Sequence, residues 1–414
     1  MKTLIFICLL FFVFGARSQE IAQWRGPTRD GIYPEKGLLK KWPENGPALK
    51  LKIEGFGKGY SQPVIYRDMI YISGLMKDTL DVVSCYKMTG EQVWSRPYGE
   101  AWKNSYPEVR STPTIENNRI YLVSGTGEVV CLDASTGNIL WTRKAHQEFH
   151  GEYNKWGIAE SVLLTDRATL YVTGGAETTV VAFDKTSGKL LWKTKSLGGP
   201  RAYASPILIE WAGKKVIVAQ TANDIMGIDS DNGEILWNYN LIQYHIDESG
   251  RGANTITPIF YKGDIFTTSG YNHPATLLTL AKDGRSVSLK WRNDDLDTHH
   301  GGVVLVNGNL YGSNWENNSK GKWISVNWET GKTNWEKDWF TKGSIIAADG
   351  LLYCYEERQG NVALVQPDAN EFKIISIFRV NGGEGPYWAH PVLYNGMLFL
   401  RHGSALMIYD VKNR

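Results

Sequence analysis

Ala134-Ser135-Thr136-Gly137-Asn138-Ile139-Leu140-Trp141 is the stretch that decides the fold: a small-residue pair ending in Gly, then a Trp four positions later. The phrase returns as Thr89-Gly90 to Trp94, Ser187-Gly188 to Trp192, Asn232-Gly233 to Trp237 and Thr330-Gly331 to Trp335, with a stretched copy from Asp283-Gly284 to Trp291. In chain order the glycines stand 47, 51, 45, 51 and 47 residues apart. A period of that size marks an array of structural units, none of which buries its apolar faces without its neighbours.

Outward from Gly137 the unit reads as four strands. Arg119-Ile120-Tyr121-Leu122-Val123 reads as one strand and Glu128-Val129-Val130-Cys131-Leu132-Asp133 as a second, on either side of the turn Ser124-Gly125-Thr126-Gly127. The Gly137 turn then reverses the chain, glycine taking the positive φ that closes a short hairpin, and Asn138 to Trp141 runs back. An apolar opening strand, 111–115, precedes them, so each repeat is a four-stranded antiparallel blade of a β-propeller. Opening strands recur at 61–65, 160–164, 204–208, 257–260, 302–305, 343–346 and 390–393, making eight. The seventh blade carries Asp368-Ala369-Asn370 at its turn and Ile374 at the Trp position. The eighth runs out at Ile408-Tyr409-Asp410 before any outer strand, and Ala48-Leu49-Lys50-Leu51-Lys52-Ile53 is a strand without a blade. That segment is expected to close the ring and remove two open sheet edges.

The sequence predicts a signal peptide over 1–18: Lys2, an apolar run from Leu4 to Phe14, then Ala16-Arg17-Ser18 before a cut. The rest, 19–414, reads as one eight-bladed domain, with 19–60 as lead-in segment and closing strand, because no Pro/Ser-rich linker or charge run divides it. The apolar run is too short to cross a bilayer and no later stretch is apolar enough, so a periplasmic or secreted monomer without a transmembrane segment is expected. Cys8 follows bulky Ile7 and does not suit lipid attachment. Of 45 basic and 43 acidic residues, Lys2 and Arg17 belong to the leader, so the remainder is balanced and carries no footprint for nucleic acid. Cys85 and Cys131 occupy one third-strand slot that later repeats fill with Ala182, Gly227 and Ser325, a slot for small residues.

The repeat resembles that of the pyrroloquinoline quinone (PQQ)-like propellers, whose blades end in a turn with Gly and a docking Trp, over nearly all of 19–414. Trp24-Arg25-Gly26-Pro27-Thr28-Arg29-Asp30-Gly31 and Gly37-Leu38-Leu39-Lys40-Lys41-Trp42-Pro43 look like the lead-in of secreted members. The resemblance implies fold more than function, since this scaffold carries both quinoprotein alcohol dehydrogenases and non-enzymatic BamB-type assembly proteins.

Function is therefore sought at the mouth of the ring, just before each opening strand. That set is Tyr60, Arg110, Glu160, Tyr203, Asn254, His300, Lys342 and Trp388 with His390. Set beside the quinoprotein site, Arg110, Glu160, Tyr203, Asn254 and Lys342 match its ligands blade by blade, Trp388 adds an aromatic plane, and Glu160 with Asn254 would hold Ca²⁺. Asp297 or His300 would then be the catalytic base of PQQ- and Ca-dependent alcohol oxidation. Two departures point away from it: no two cysteines are adjacent, and the chain lacks long insertions that lid a cofactor. A structural alternative pairs Arg110 with Glu160 between blades and uses Asn254 and Tyr203 to satisfy backbone groups. Trp102, Trp156 and Trp388 lie in loops between blades, where such a residue is either local core or part of a ligand or sugar-stacking surface. The leading expectation is a non-catalytic binding or assembly module that takes an envelope protein, peptide or glycan at the funnel face. A polysaccharide lyase or hydrolase is a third class, for which no catalytic set can be isolated.

Overall fold

The computed structural model describes residues 21–244 and 252–413, so the expected leader lies outside the described residues. Eight sheets form an all-β, eight-bladed propeller. Blade two comprises Thr114–Glu116, Arg119–Val123, Val129–Asp133 and Ile139–Arg143, innermost to outermost, and the other blades repeat that order. The second and third strands of this blade are buried almost throughout, because both faces of a blade pack on neighbouring blades, whereas the fourth alternates and buries chiefly its Trp. As expected, Ala48–Glu54 pairs antiparallel with Ala405–Asp410 and completes blade eight.

The docking Trp is an inter-blade staple. Trp94, Trp141, Trp192, Trp291 and Trp335 donate their indole N–H to the turn of the following blade, at the carbonyls of Ala134, Lys185, Ser230, Trp328 and Asp368. That turn's glycine lies on the ring: a Cβ on Gly137 would stand 2.6 Å from Trp94, and one on Gly188 2.8 Å from Trp141. The slot opposite the ring is small because Trp94 pairs with Cys85, Trp141 with Cys131 and Trp192 with Ala182. Cys85 and Cys131 are accordingly buried free thiols.

Two blades depart from the repeat. In blade four Trp237 keeps its place in the ladder, but its indole N–H finds no partner, and Trp211 on the innermost strand instead donates to Ala281 of the next blade at 2.8 Å. In blade seven the bulge shifts the slot: Ile374 pairs with Val365 and Ser376 with Leu364, so Ser376, not Ile374, stands where other blades hold Trp. The lead-in segment covers that seam, with Trp42 donating its backbone N–H to Ser376 Oγ and packing edge-on against Phe378.

The lead-in does more than approach the ring; it fills its axis. Ala22 bridges to Ile115 in blade two, and Arg25 donates its backbone N–H to Gln62 Oε1 of blade one. Arg29 donates to the carbonyls of Ser161, Val162 and Pro206 in blades three and four. Trp24 reaches Thr257 of blade five, Arg25 reaches Val303 of blade six and His390 of blade eight, and Ile32–Tyr33 adds a parallel strand to blade seven. One short segment touches all eight blades, and only the axis offers that position. Both guanidiniums are buried, and desolvation lowers them, Arg25 to about 10 and Arg29 to about 9.

Candidate functional site

Within a blade the innermost strand starts, and the second strand ends, at one face of the ring, so the loops at that face collect at the mouth. The side chains they bring are mainly aromatic. Trp388 lies 4.8 Å from Tyr60, 5.7 Å from Tyr106 and 4.9 Å from His300, centroid to centroid. The chain of rings runs on through His299, Tyr271 and Trp156 to Tyr203, with Trp315 beside Tyr271. Among the described residues the exposed large aliphatic side chains are elsewhere: Leu49, Val93, Ile139, Leu140, Leu190, Leu289 and Ile377 all belong to outermost strands.

Beneath Trp388 sits a polar cluster that sequence reading only half anticipated. Lys342 Nζ is 2.8 Å from Glu357 Oε1, with both side chains nearly closed to solvent, and it also donates to the Asn317 carbonyl. Glu357 Oε2 has no hydrogen-bond partner, and His300 Nε2, likewise unpartnered, stands 3.7 Å from it. Burial raises the Glu357 carboxyl above its usual range, with Lys342 and the Trp388 indole acting the other way. Burial, aided by Lys342, pushes His300 down to about 3, so the imidazole is neutral. Arg25 Nη1 donates to His390 Nδ1 at 3.0 Å, which leaves the proton of this neutral ring on Nε2, donated to the His300 carbonyl at 2.9 Å. The axial segment thus holds the backbone of a mouth residue.

Arg110 lies beside Tyr60 and Tyr106, the rings that pack on Trp388, and within electrostatic reach of Tyr203. Its Nη2 donates to the Tyr106 carbonyl, its Nε is unpartnered, and Tyr203, Glu108, Tyr60 and Asp81 offset the desolvation that lowers it. Tyr203 accepts the Trp156 backbone N–H at 2.9 Å, and burial raises it to about 12.

Three expected site residues are occupied elsewhere. Glu160 is fully buried, and its partner is Arg201, not Arg110: Arg201 Nη2 approaches Oε2 to 2.6 Å, with both side chains at 0% exposure. Desolvation outweighs that attraction and lifts the Glu160 carboxyl to about 7. Asn254, at φ +43°, donates from Nδ2 to the carbonyls of Thr221 and Ala222, while its own carbonyl receives Tyr203 and Ala204. Asp297 accepts the backbone N–H groups of Trp315 and Asn272, and burial raises it to about 7. The structure therefore joins His300, Lys342, Trp388 and Tyr60, and it sets Arg110 between Tyr60 and Tyr203. Glu357, the hub of the first group, was missed; Glu356-Glu357 at the end of a fully buried strand was the available signal.

This donor set does not fit a calcium–quinone pair. Glu160 is closed to solvent and committed to Arg201, Asn254 is oriented by backbone carbonyls, and Lys342 is already neutralised by Glu357. Among the described residues no group of three or more His, Cys, Asp or Glu gathers to hold a metal ion. A tricarboxylate also requires cations free to pair with it, and Lys342 is not one of them.

Comparison with known proteins agrees with the architecture. The chain is 24% identical over 189 residues to the outer membrane protein assembly factor BamB of Kangiella koreensis, covering 45% of this chain and 42% of that one. It is 23% identical over 193 residues to a quinoprotein ethanol dehydrogenase of Pseudomonas aeruginosa, covering 42% of this chain and 28% of that one. It thus spans less than half the length of these curated relatives. In fold it is similar to BamB from Moraxella catarrhalis, with TM-score 0.64 and 14% identity over 88% of this chain and 99% of that chain. A europium-containing methanol dehydrogenase gives TM-score 0.65 and 14% identity over 92% and 88%. A sequence model of the family described as outer membrane protein assembly factor BamB matches residues 80–337, well over half of the chain, and the protein belongs to that family.

Proposed function

We propose that this chain is a non-catalytic binding and assembly module of the cell envelope, periplasmic or secreted, that takes its ligand on the aromatic mouth of the ring. The observation that carries the reading is the connected arc of rings from Tyr106 through Trp388 and His300 to Trp156 and Tyr203. Amphipathic rings held rigidly by a closed scaffold offer contact area at little entropic cost, the property of recognition surfaces. The filled axis supports the same reading, since ligands meet a floor rather than a channel. An envelope protein, an extended peptide and a glycan all suit such a face. No helix among the described residues is long and apolar enough to cross a membrane.

The test places a photo-crosslinking residue at Trp156 or Trp388 and, as control, at Tyr261 on the opposite face. A defined envelope component joined only from the mouth supports the module. Calorimetric binding of PQQ with Ca²⁺, together with dye-linked alcohol oxidation, would replace it with the dehydrogenase reading.

A further inference from the structure

We propose that the Trp388 side of the mouth is a subsite for a neutral sugar ring, an inference that rests on the binding-module reading and narrows its ligand. A pyranose offers a flat face of C–H groups for stacking on an aromatic plane and a rim of hydroxyls that both donate and accept hydrogen bonds. Trp388, half-buried between Tyr60, Tyr106 and His300, supplies the plane. Among the described residues of the mouth loops, the exposed large apolar side chains are Tyr106, Tyr153 and Phe340, all aromatic. Aliphatic side chains that would anchor a hydrophobic peptide are displayed on the outermost strands instead.

The polar half of the subsite is the gap between Glu357 Oε2 and His300 Nε2. At 3.7 Å the two atoms are too far apart to bond each other, and neither has a partner at full hydrogen-bonding geometry, the Trp388 indole acting on the Glu357 carboxyl. One hydroxyl oxygen at about 2.8 Å from each closes the triangle, donating its proton to the carboxylate and bonding the imidazole nitrogen through its lone pairs. Leaving both polar atoms buried and unmet is unfavourable, so the gap favours a guest that is donor and acceptor at once. The His300 side chain keeps 27% of its surface exposed and marks the side from which a ligand arrives. Within the gap itself charge favours a neutral guest, because Lys342 is neutralised by Glu357 and the imidazole is uncharged, so neither a uronate nor a cationic peptide finds a free counter-charge there.

The experiment uses the full chain on immobilised neutral oligosaccharides (glucose, mannose, galactose and N-acetylglucosamine series), on uronate oligomers and on extended peptides. Expected is retention on at least one neutral series, with quenching of tryptophan fluorescence. Trp388→Ala and His300→Ala should each weaken it tenfold or more, while Trp388→Tyr keeps most binding and Tyr261→Ala changes nothing. Thermal melts of each variant separate lost binding from lost fold, and Trp388→Tyr carries the comparison if His300→Ala unfolds. Retention of uronates alone, or of neutral sugars with equal strength by all variants, overturns the subsite. Retention of peptides alone overturns the sugar inference and leaves the binding module standing, whereas retention of nothing removes both.

Discussion

Replacing Arg201 by Met tests whether the third and fourth blades are joined by a buried ion pair or whether Glu160 is poised for a ligand. The guanidinium and the carboxylate are 2.6 Å apart at 0% exposure, and the remaining partners of Glu160 are long contacts of 3.3 Å from the Val172 backbone N–H. Removing one member of such a pair costs about 3–5 kcal/mol, because an uncompensated charge stays buried. Here protonation limits the cost: the carboxyl already titrates near 7, so near neutral pH the loss should fall at about 3 kcal/mol. The double variant Arg201→Met, Glu160→Gln removes both charges and should recover much of it.

The sign with pH follows from the raised carboxyl. Glu160 favours the fold fully below about 4.5, and that contribution is lost as pH rises through about 7, so Glu160→Gln should gain on the parent by about 3 kcal/mol across that window. Urea denaturation followed by tryptophan fluorescence between pH 4.5 and 7.5 reads both effects. Arg285→Met, which breaks an exposed pair with Glu234, serves as control and should not move the midpoint. If Arg201→Met is no more destabilising than Arg285→Met, the structural role assigned to Glu160 is wrong, and its carboxylate returns as a ligand for a metal.

The remaining predictions concern the staple, the axis and the thiols. Gly137 and Gly213 both adopt positive φ, but a Cβ at Gly137 meets Trp94 while one at Gly213 meets nothing within 4 Å. Gly137→Ala should therefore cost about 1–3 kcal/mol more than Gly213→Ala in chemical denaturation, and equal losses would count against the Trp–Gly staple. Arg29→Met removes a donor from the carbonyls of Ser161, Val162 and Pro206, of which Val162 keeps Thr114 Oγ1, and should lower stability by on the order of 3 kcal/mol. Limited proteolysis should then cut the lead-in before the blades; retained protection would argue that the axial segment is held otherwise. Cys85, Cys131 and Cys354 are buried, and desolvation raises each thiol, so all three should resist thiol reagents until the ring unfolds.

Repetition explains what was legible in the sequence. Each blade solves the same local packing problem within about fifty residues, so the Gly turn, the docking Trp and the small slot opposite it recur, and blade count and ring closure follow from them. Where the local solution changes, reading by analogy fails: Trp211 replaces the staple of Trp237, and a bulge moves the seventh slot from Ile374 to Ser376. The candidate site was legible only as a set of positions. Counting blades placed Arg110, Tyr203, His300, Lys342 and Trp388 at the mouth, but it assigned Glu160 to the wrong arginine and overlooked Glu357.

The physical reason is range. A strand's partner is its neighbour in the chain, and periodicity encodes it, whereas the partners of polar mouth residues are set by the curvature of the closed ring. Arg25 meets His390 across 365 residues, and Arg29 crosses to Ser161 and Pro206 from a segment with no repeat to betray it. The sequence alone thus determined the unit, its number and the closure of the circle. Only tertiary structure decided that the lead-in fills the axis, that Glu160 pairs with Arg201, and that Lys342, Glu357, His300 and Trp388 meet on one side of the mouth.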